Sequence, residues 1–139
     1  NFARRLSDGD TLIADAGNAR VLRVSADGAI DREYDMEALA AMLHDDVVQT
    51  MPPYAMWLQG RDDLITWYSG AGIGCAGSRL LAGHANGCPA FAQYRQDPNG
   101  GHVPWALQVI ELRGSRIEAI HAFLDTEVFE RFGFPPRLN

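Results

Sequence analysis

The stretch ALQVIELRGSRIEAIHAFLD, residues 106–125, decides how this chain folds. Two alternating apolar runs, 103–112 and 116–124, flank Gly114-Ser115. Glycine at the first central position suits a type II′ hairpin turn, so the runs are expected to pair as antiparallel strands. Counting back from the turn sets Arg113 against Arg116, Leu112 against Ile117, Ile110 against Ala119 and Gln108 against His121. On this register Ala106, Gln108, Ile110, Ala119, His121 and Phe123 share one face, and Trp105, Leu107, Val109, Ile120, Ala122 and Leu124 share the other. The first face is apolar apart from Gln108 and His121. Two such groups side by side must be satisfied by each other, by water or by a ligand.

The neighbouring segments extend the pattern. Residues 79–85 and 88–95 flank Asn86-Gly87, the strongest short hairpin signal, and 97–101 (Asp-Pro-Asn-Gly-Gly) is a surface turn. A short helix is expected over Glu127–Phe132, stopped by Gly133 and by Pro135-Pro136. Upstream, the spacing of Met36, Leu39, Ala40 and Leu43 predicts a helix over Asp31–His44. Val47–Met51 reads as a strand running into Pro52-Pro53, and 54–60 as an apolar loop. A second helix is expected over Arg61–Tyr68, with Asp62 and Asp63 in its first turn and Leu64, Ile65, Trp67 and Tyr68 on its buried side. Helices first and antiparallel strands afterwards make an α+β domain, in which a curved sheet wrapped over helices leaves a cavity.

Residues 1–28 have a different texture. Residues 10–15 and 20–24 read as two short strands around a turn, and the wording GDTLIADAGNARVLRVSADG resembles one NHL-type propeller repeat. One repeat cannot bury its own faces, so a hairpin-like segment over 1–28 ahead of a domain at 29–139 is expected. The chain begins with Asn1, which suggests a piece of something longer. Its 139 residues, 47% hydrophobic and 22% charged, fit one globular domain. A net charge of −6 argues against direct, phosphate-driven nucleic-acid binding, and no apolar run is long enough for a membrane helix. All 12 basic residues are Arg, so lysine Schiff-base chemistry is excluded. Cys75 and Cys88 are too few for a zinc site and are expected as thiols in a reducing cytoplasm. No cofactor or metal is expected, and the glycine-rich 70–77 lacks the context of a phosphate loop.

His121 is the natural general acid/base. Asp125 either orients it or caps the last helix, and its place just before Thr126-Glu127 favours the cap. His44, His84 and His102 are explained by surface positions. Tyr54, Trp57, Trp67 and Tyr68 crowd the first half, with Phe91, Trp105 and Phe123 available from the sheet. Such aromatics form core, but Met51-Pro-Pro-Tyr-Ala-Met-Trp57 also reads as a proline-fixed rim to a cavity or a docking surface. The ligand-binding candidates are therefore Tyr54, Trp57, Trp67, Gln108, His121 and Phe123, and the catalytic candidates His121 and Asp125.

From about Tyr34 to Leu138 the sequence resembles the SnoaL-like domain at the C-terminus of extracytoplasmic-function RNA polymerase sigma factors. The resemblance is carried by DMEALAAMLHDD (35–46), MPPYAMWLQGRDDL (51–64), ANGCPAFAQYR (85–95), residues 106–125 and FERFGFPPRL (129–138). It implies the cone of the nuclear-transport-factor-2 superfamily, a curved antiparallel sheet around a pocket. It also implies a non-enzymatic regulatory domain that acts on a sigma factor's promoter-binding domains or RNA polymerase, binds a small apolar ligand, or both. Related free-standing domains suggest the alternative, a cyclase, isomerase or hydrolase using His121. Homodimerisation through the outer sheet face is common in the superfamily.

Overall fold

A computed structural model describes residues 3–5, 11–15, 20–24, 30–34, 40–70 and 77–139. Strands β1 (Ala3–Arg5), β2 (Thr11–Asp15), β3 (Arg20–Val24) and β4 (Ile30–Tyr34) form one antiparallel sheet in chain order. The expected pair β2–β3 is present, with Thr11 opposite Val24 and Asp15 opposite Arg20. It is the centre of a four-stranded meander rather than an isolated hairpin. The added strand β4 takes the start of the helix expected over Asp31–His44. Of that helix, 35–39 lie outside the described residues, 40–42 are helical, and Leu43 already belongs to the next strand. Among the described residues the helical spacing is realised over 40–42. The tertiary pairing of Leu43 with Ile117 then overrides it.

The remaining strands are β5 (Leu43–Met51), β6 (Tyr54–Gln59), β7 (Arg79–Ala85), β8 (Cys88–Gln96), β9 (His102–Arg113) and β10 (Arg116–Phe123). They form a six-stranded sheet in the order β6-β5-β10-β9-β8-β7. Helix α1 (Arg61–Ser69) and the short α2 (Val128–Arg131) complete the described elements. The β5–β10 pair is parallel and all others are antiparallel, so the sheet is mixed. Segment 54–60, expected as a loop, is largely the edge strand β6. No side chain of β6 is fully buried, so the inside–outside alternation that betrays a strand is muted there.

Each face of the sheet carries its own core. On the inner face, Leu64 and Tyr68 of α1 pack on Leu43, Val47, Phe91, Ile110, Ile117 and Ile120, with Ile65 and Trp67 half-buried at the margin. On the outer face, Phe129 and Phe134 from the C-terminal segment cover Ala90, Ala92, Tyr94 and Leu107. Tyr94 and Phe129 meet edge to face at 5.2 Å, and the Tyr94 hydroxyl donates to the Pro135 carbonyl at 2.8 Å. Leu107 is thus buried under the chain's own C-terminus, while Trp105 is covered by the Arg95 guanidinium, 3.3 Å above its ring.

The 106–125 hairpin forms as expected at its turn, where Gly114 adopts φ +62 and Arg113 faces Arg116. The register then shifts. Ile117 faces Leu112, but Ala119 faces Glu111, Ile120 faces Ile110, His121 faces Val109 and Ala122 faces Gln108. Glu118 is the extra residue of a β-bulge, gripped by Arg113 at 3.3 Å while Arg113 also reaches Asp46 at 2.7 Å. One inserted residue exchanges the two faces of everything beyond it. Gln108 and His121 therefore stand on opposite sides of the sheet, and Phe123 moves to the outer face with His121.

Candidate functional site

The inner face beyond the bulge holds a row of neutral polar groups among apolar ones. Gln108 lies between Ala122 on β10 and Phe91 on β8, and Gln93 lies between Ala106 and Leu80. Gln108 Nε2 donates to Gln93 Oε1 at 2.9 Å, and Gln93 Nε2 donates to Ser78 Oγ at 3.1 Å. All three side chains are buried. Nearer α1, the Tyr68 hydroxyl donates to Gln49 Oε1, which is also buried. Trp67, a predicted ligand residue, sits beside this row, half-buried and edge-on to Tyr68 at 5.2 Å. Sequence reasoning identified Gln108 but missed Gln49, Ser78 and Gln93. The alternation of Gln93 with Ala92 and Tyr94 on β8 was the signal available, but it does not separate a buried amide from an exposed one.

The other predicted residues gather on the outer face. One cross-strand row runs Trp57, Thr50, His121, Val109, Ala90 and Gly83 over all six strands. His121 Nδ1 lies 2.8 Å from Thr50 Oγ1, and its Nε2 lies 3.1 Å from Glu111 Oε2. The polar partner of His121 is thus Glu111 rather than Gln108. The Asp125 carboxylate instead accepts the Glu127 backbone N–H at 3.0 Å, a local turn just ahead of α2, whose N-cap Glu127 has no side-chain cap bond. Phe123 joins Leu107, Val109, Val128, Phe132, Ala85 and Asn86 around an apolar crevice. Tyr54 and Trp57 stay 68% and 60% exposed, so they line no interior. The predicted set is therefore split: Gln108 and Trp67 face inward, and Trp57, His121 and Phe123 face outward.

His44 and His102 make structural contacts, and His84 is exposed. His44 pairs with Asp46 at 3.1 Å, and His102 sits opposite Leu138 in a backbone bridge with Nε2 3.3 Å from the Gly77 carbonyl. Among the described residues no three His, Cys, Asp or Glu side chains are placed to hold a metal ion, and no helix is long and apolar enough to cross a membrane. Cys88 is a free, half-buried thiol, while Cys75 and most of 70–77 lie outside the described residues.

A six-stranded mixed sheet in this order, carrying α1 on one face, is the nuclear-transport-factor-2-like α+β cone. Solved structures agree. An NTF-2 like protein of unknown function from Burkholderia xenovorans LB400 superposes with TM-score 0.51 at 16% identity, over 62% of this chain and 66% of that one. The Mycobacterium tuberculosis extracytoplasmic function sigma factor SigJ gives 0.51 at 20% identity, over 73% of this chain and 40% of that one. These likenesses establish the fold. No protein-family model matches the chain. In sequence it is 33% identical over 112 residues to the ECF RNA polymerase sigma factor SigG of Mycobacterium tuberculosis, across 76% of this chain. It spans only 29% of the length of that relative. The chain carries a SnoaL-like domain, related in sequence to an extracytoplasmic-function sigma factor.

Proposed function

We propose that this SnoaL-like domain is a non-enzymatic regulatory module that acts in the cytoplasm on the promoter-binding domains of a sigma factor and holds a small apolar ligand on its inner sheet face. The observation that carries the reading is the sequence likeness to SigG over 112 residues. The chemistry of the described inner face supports the non-enzymatic part. Its buried polar groups are three glutamines, a serine and the Tyr68 hydroxyl, which is committed to Gln49, and such neutral groups bind and orient a ligand. The exposed Tyr54 and Trp57 on edge strand β6 supply the docking surface. The test is calorimetric titration of the chain with the promoter-binding region of SigG, together with run-off transcription in its presence. Association that changes transcript yield is expected. Absence of both binding and any transcriptional effect overturns the reading.

One observation favours a second reading, an enzyme of the hydrolase or isomerase kind. His121 is held between Thr50 and Glu111 in a hydroxyl–imidazole–carboxylate chain, an arrangement that suits general base chemistry. On that reading His121→Ala lowers turnover roughly 10²–10⁴-fold on whichever substrate is found. Full activity in that variant rules the role out.

A further inference from the structure

We infer that the inner sheet face binds a neutral, largely apolar molecule bearing a hydrogen-bond donor, and that Gln108 Oε1 is the acceptor it meets. The inference deepens the proposed ligand-binding role and rests on it. Gln108 is only 8% exposed, yet its Oε1 has no hydrogen-bond partner among the described residues. Its orientation is set from behind: Nε2 is committed to Gln93, whose own Nε2 is committed to Ser78. The amide therefore presents its carbonyl oxygen. A buried carbonyl left without a donor forfeits the water it gave up, so the site is incomplete without a donor from outside the chain.

The surroundings define what can supply that donor. Ala122, opposite Gln108, and Ala106, two residues before it on the same face, are both buried and end at a methyl group. Ile110 and Ile120, the next pair along the same face, carry full branched chains. Small side chains thus flank Gln108 on β9 and β10, and Phe91 stands opposite it on β8. No Asp, Glu, Arg or His is among the buried polar side chains of the described residues. A charged ligand would lose its hydration there without a countercharge, so the ligand is neutral. A ketone, ether or carboxylate would point oxygen at oxygen. A hydroxyl, phenol or amide N–H fits.

The test uses phenol and toluene, which share a shape and differ by the donor, with benzoate as the charged probe. Each is titrated into the chain while the glutamine side-chain amide signals are followed by ¹⁵N NMR. Phenol is expected to bind one site, shift the Gln108 and Gln93 amides, and bind about five- to tenfold more tightly than toluene, the range of one neutral hydrogen bond. Benzoate is expected to bind more weakly than either. In Gln108→Met the phenol preference should vanish. Equal affinities, shifts confined to other residues, or a preference that survives Gln108→Met overturns the proposal. Should Gln108→Met fail to fold, the phenol-to-toluene ratio of the unaltered chain decides alone. Adding the SigG promoter-binding region to the same samples separates the two readings. Loss of phenol selectivity with intact partner binding defeats only the ligand class, and the reverse defeats only the partner role.

Discussion

Tyr68 of α1 reaches down to the sheet and donates its hydroxyl to Gln49 Oε1, and the two residues are 6% and 2% exposed. The bond ties the only long helix among the described residues to β5 at a point otherwise surrounded by Leu43, Leu64 and Ile120. Tyr68→Phe keeps the ring and its packing but leaves the glutamine carbonyl unsatisfied. The expected loss is about 1–3 kcal/mol in urea unfolding. A loss well below that range would mean the bond contributes little to holding α1.

Gly83 passes under the ring of Phe134. A methyl group placed there would lie 2.6 Å from Phe134 Cζ, closer than any real contact. Gly83→Ala is therefore expected to push the C-terminal segment off the outer face, costing about 1–3 kcal/mol as an overpacked site does. Hydrogen exchange at Phe134, whose backbone N–H is bonded to the Phe129 carbonyl, should rise with it.

Asp97 is held ionised below the ordinary carboxylate range, first by the Asn99 backbone N–H at 2.9 Å and then by the Arg137 guanidinium. Its native pKa is lower than its unfolded one, so the ionised group stabilises the fold above the ordinary value of 3.8. That contribution fades as the pH falls through the lower native value. Asp97→Ala should melt below the unaltered chain at about pH 6, with the gap closing as the pH drops toward about 3. Thermal melts across that window check it, and a gap independent of pH would contradict it.

Trp57 is 60% exposed on edge strand β6. Trp57→Ser should change stability by no more than about 0.5 kcal/mol. If β6 is the docking edge, the same change should weaken binding to the sigma promoter-binding region by tenfold or more, since buried aromatic anchors dominate interfaces. Unchanged affinity in calorimetry would remove β6 from the interface.

Hairpins β7–β8 and β9–β10 and helices α1 and α2 were legible because their turns and caps are written locally: Asn86-Gly87, Gly114-Ser115, Asp62-Asp63 and Gly133. What was not legible depends on partners distant in sequence. Leu43 sits at helical spacing from Met36, yet it pairs with Ile117. Tyr54–Gln59 hides its strand character because its exposed positions include Tyr54, Ala55 and Trp57, so the alternation in exposure is not written as polar against apolar. The bulge left no local trace: His121 alternates with Ile120 and Ala122 with or without it, and only the pairing with β9 changes. The Gln93–Ser78 relay left none, because a buried and an exposed glutamine are spelled alike.

The single extra residue at Glu118 works on β10 as a frameshift works on a gene: everything downstream keeps its identity and changes its side. Were Glu118 to take a pairing position opposite Glu111 instead of bulging out, His121 would stand opposite Gln108 and Ala122 would turn outward. A proton carrier would then face the neutral amide row. In this fold one unpaired residue decides which side chains of β10 share a face with the amide row.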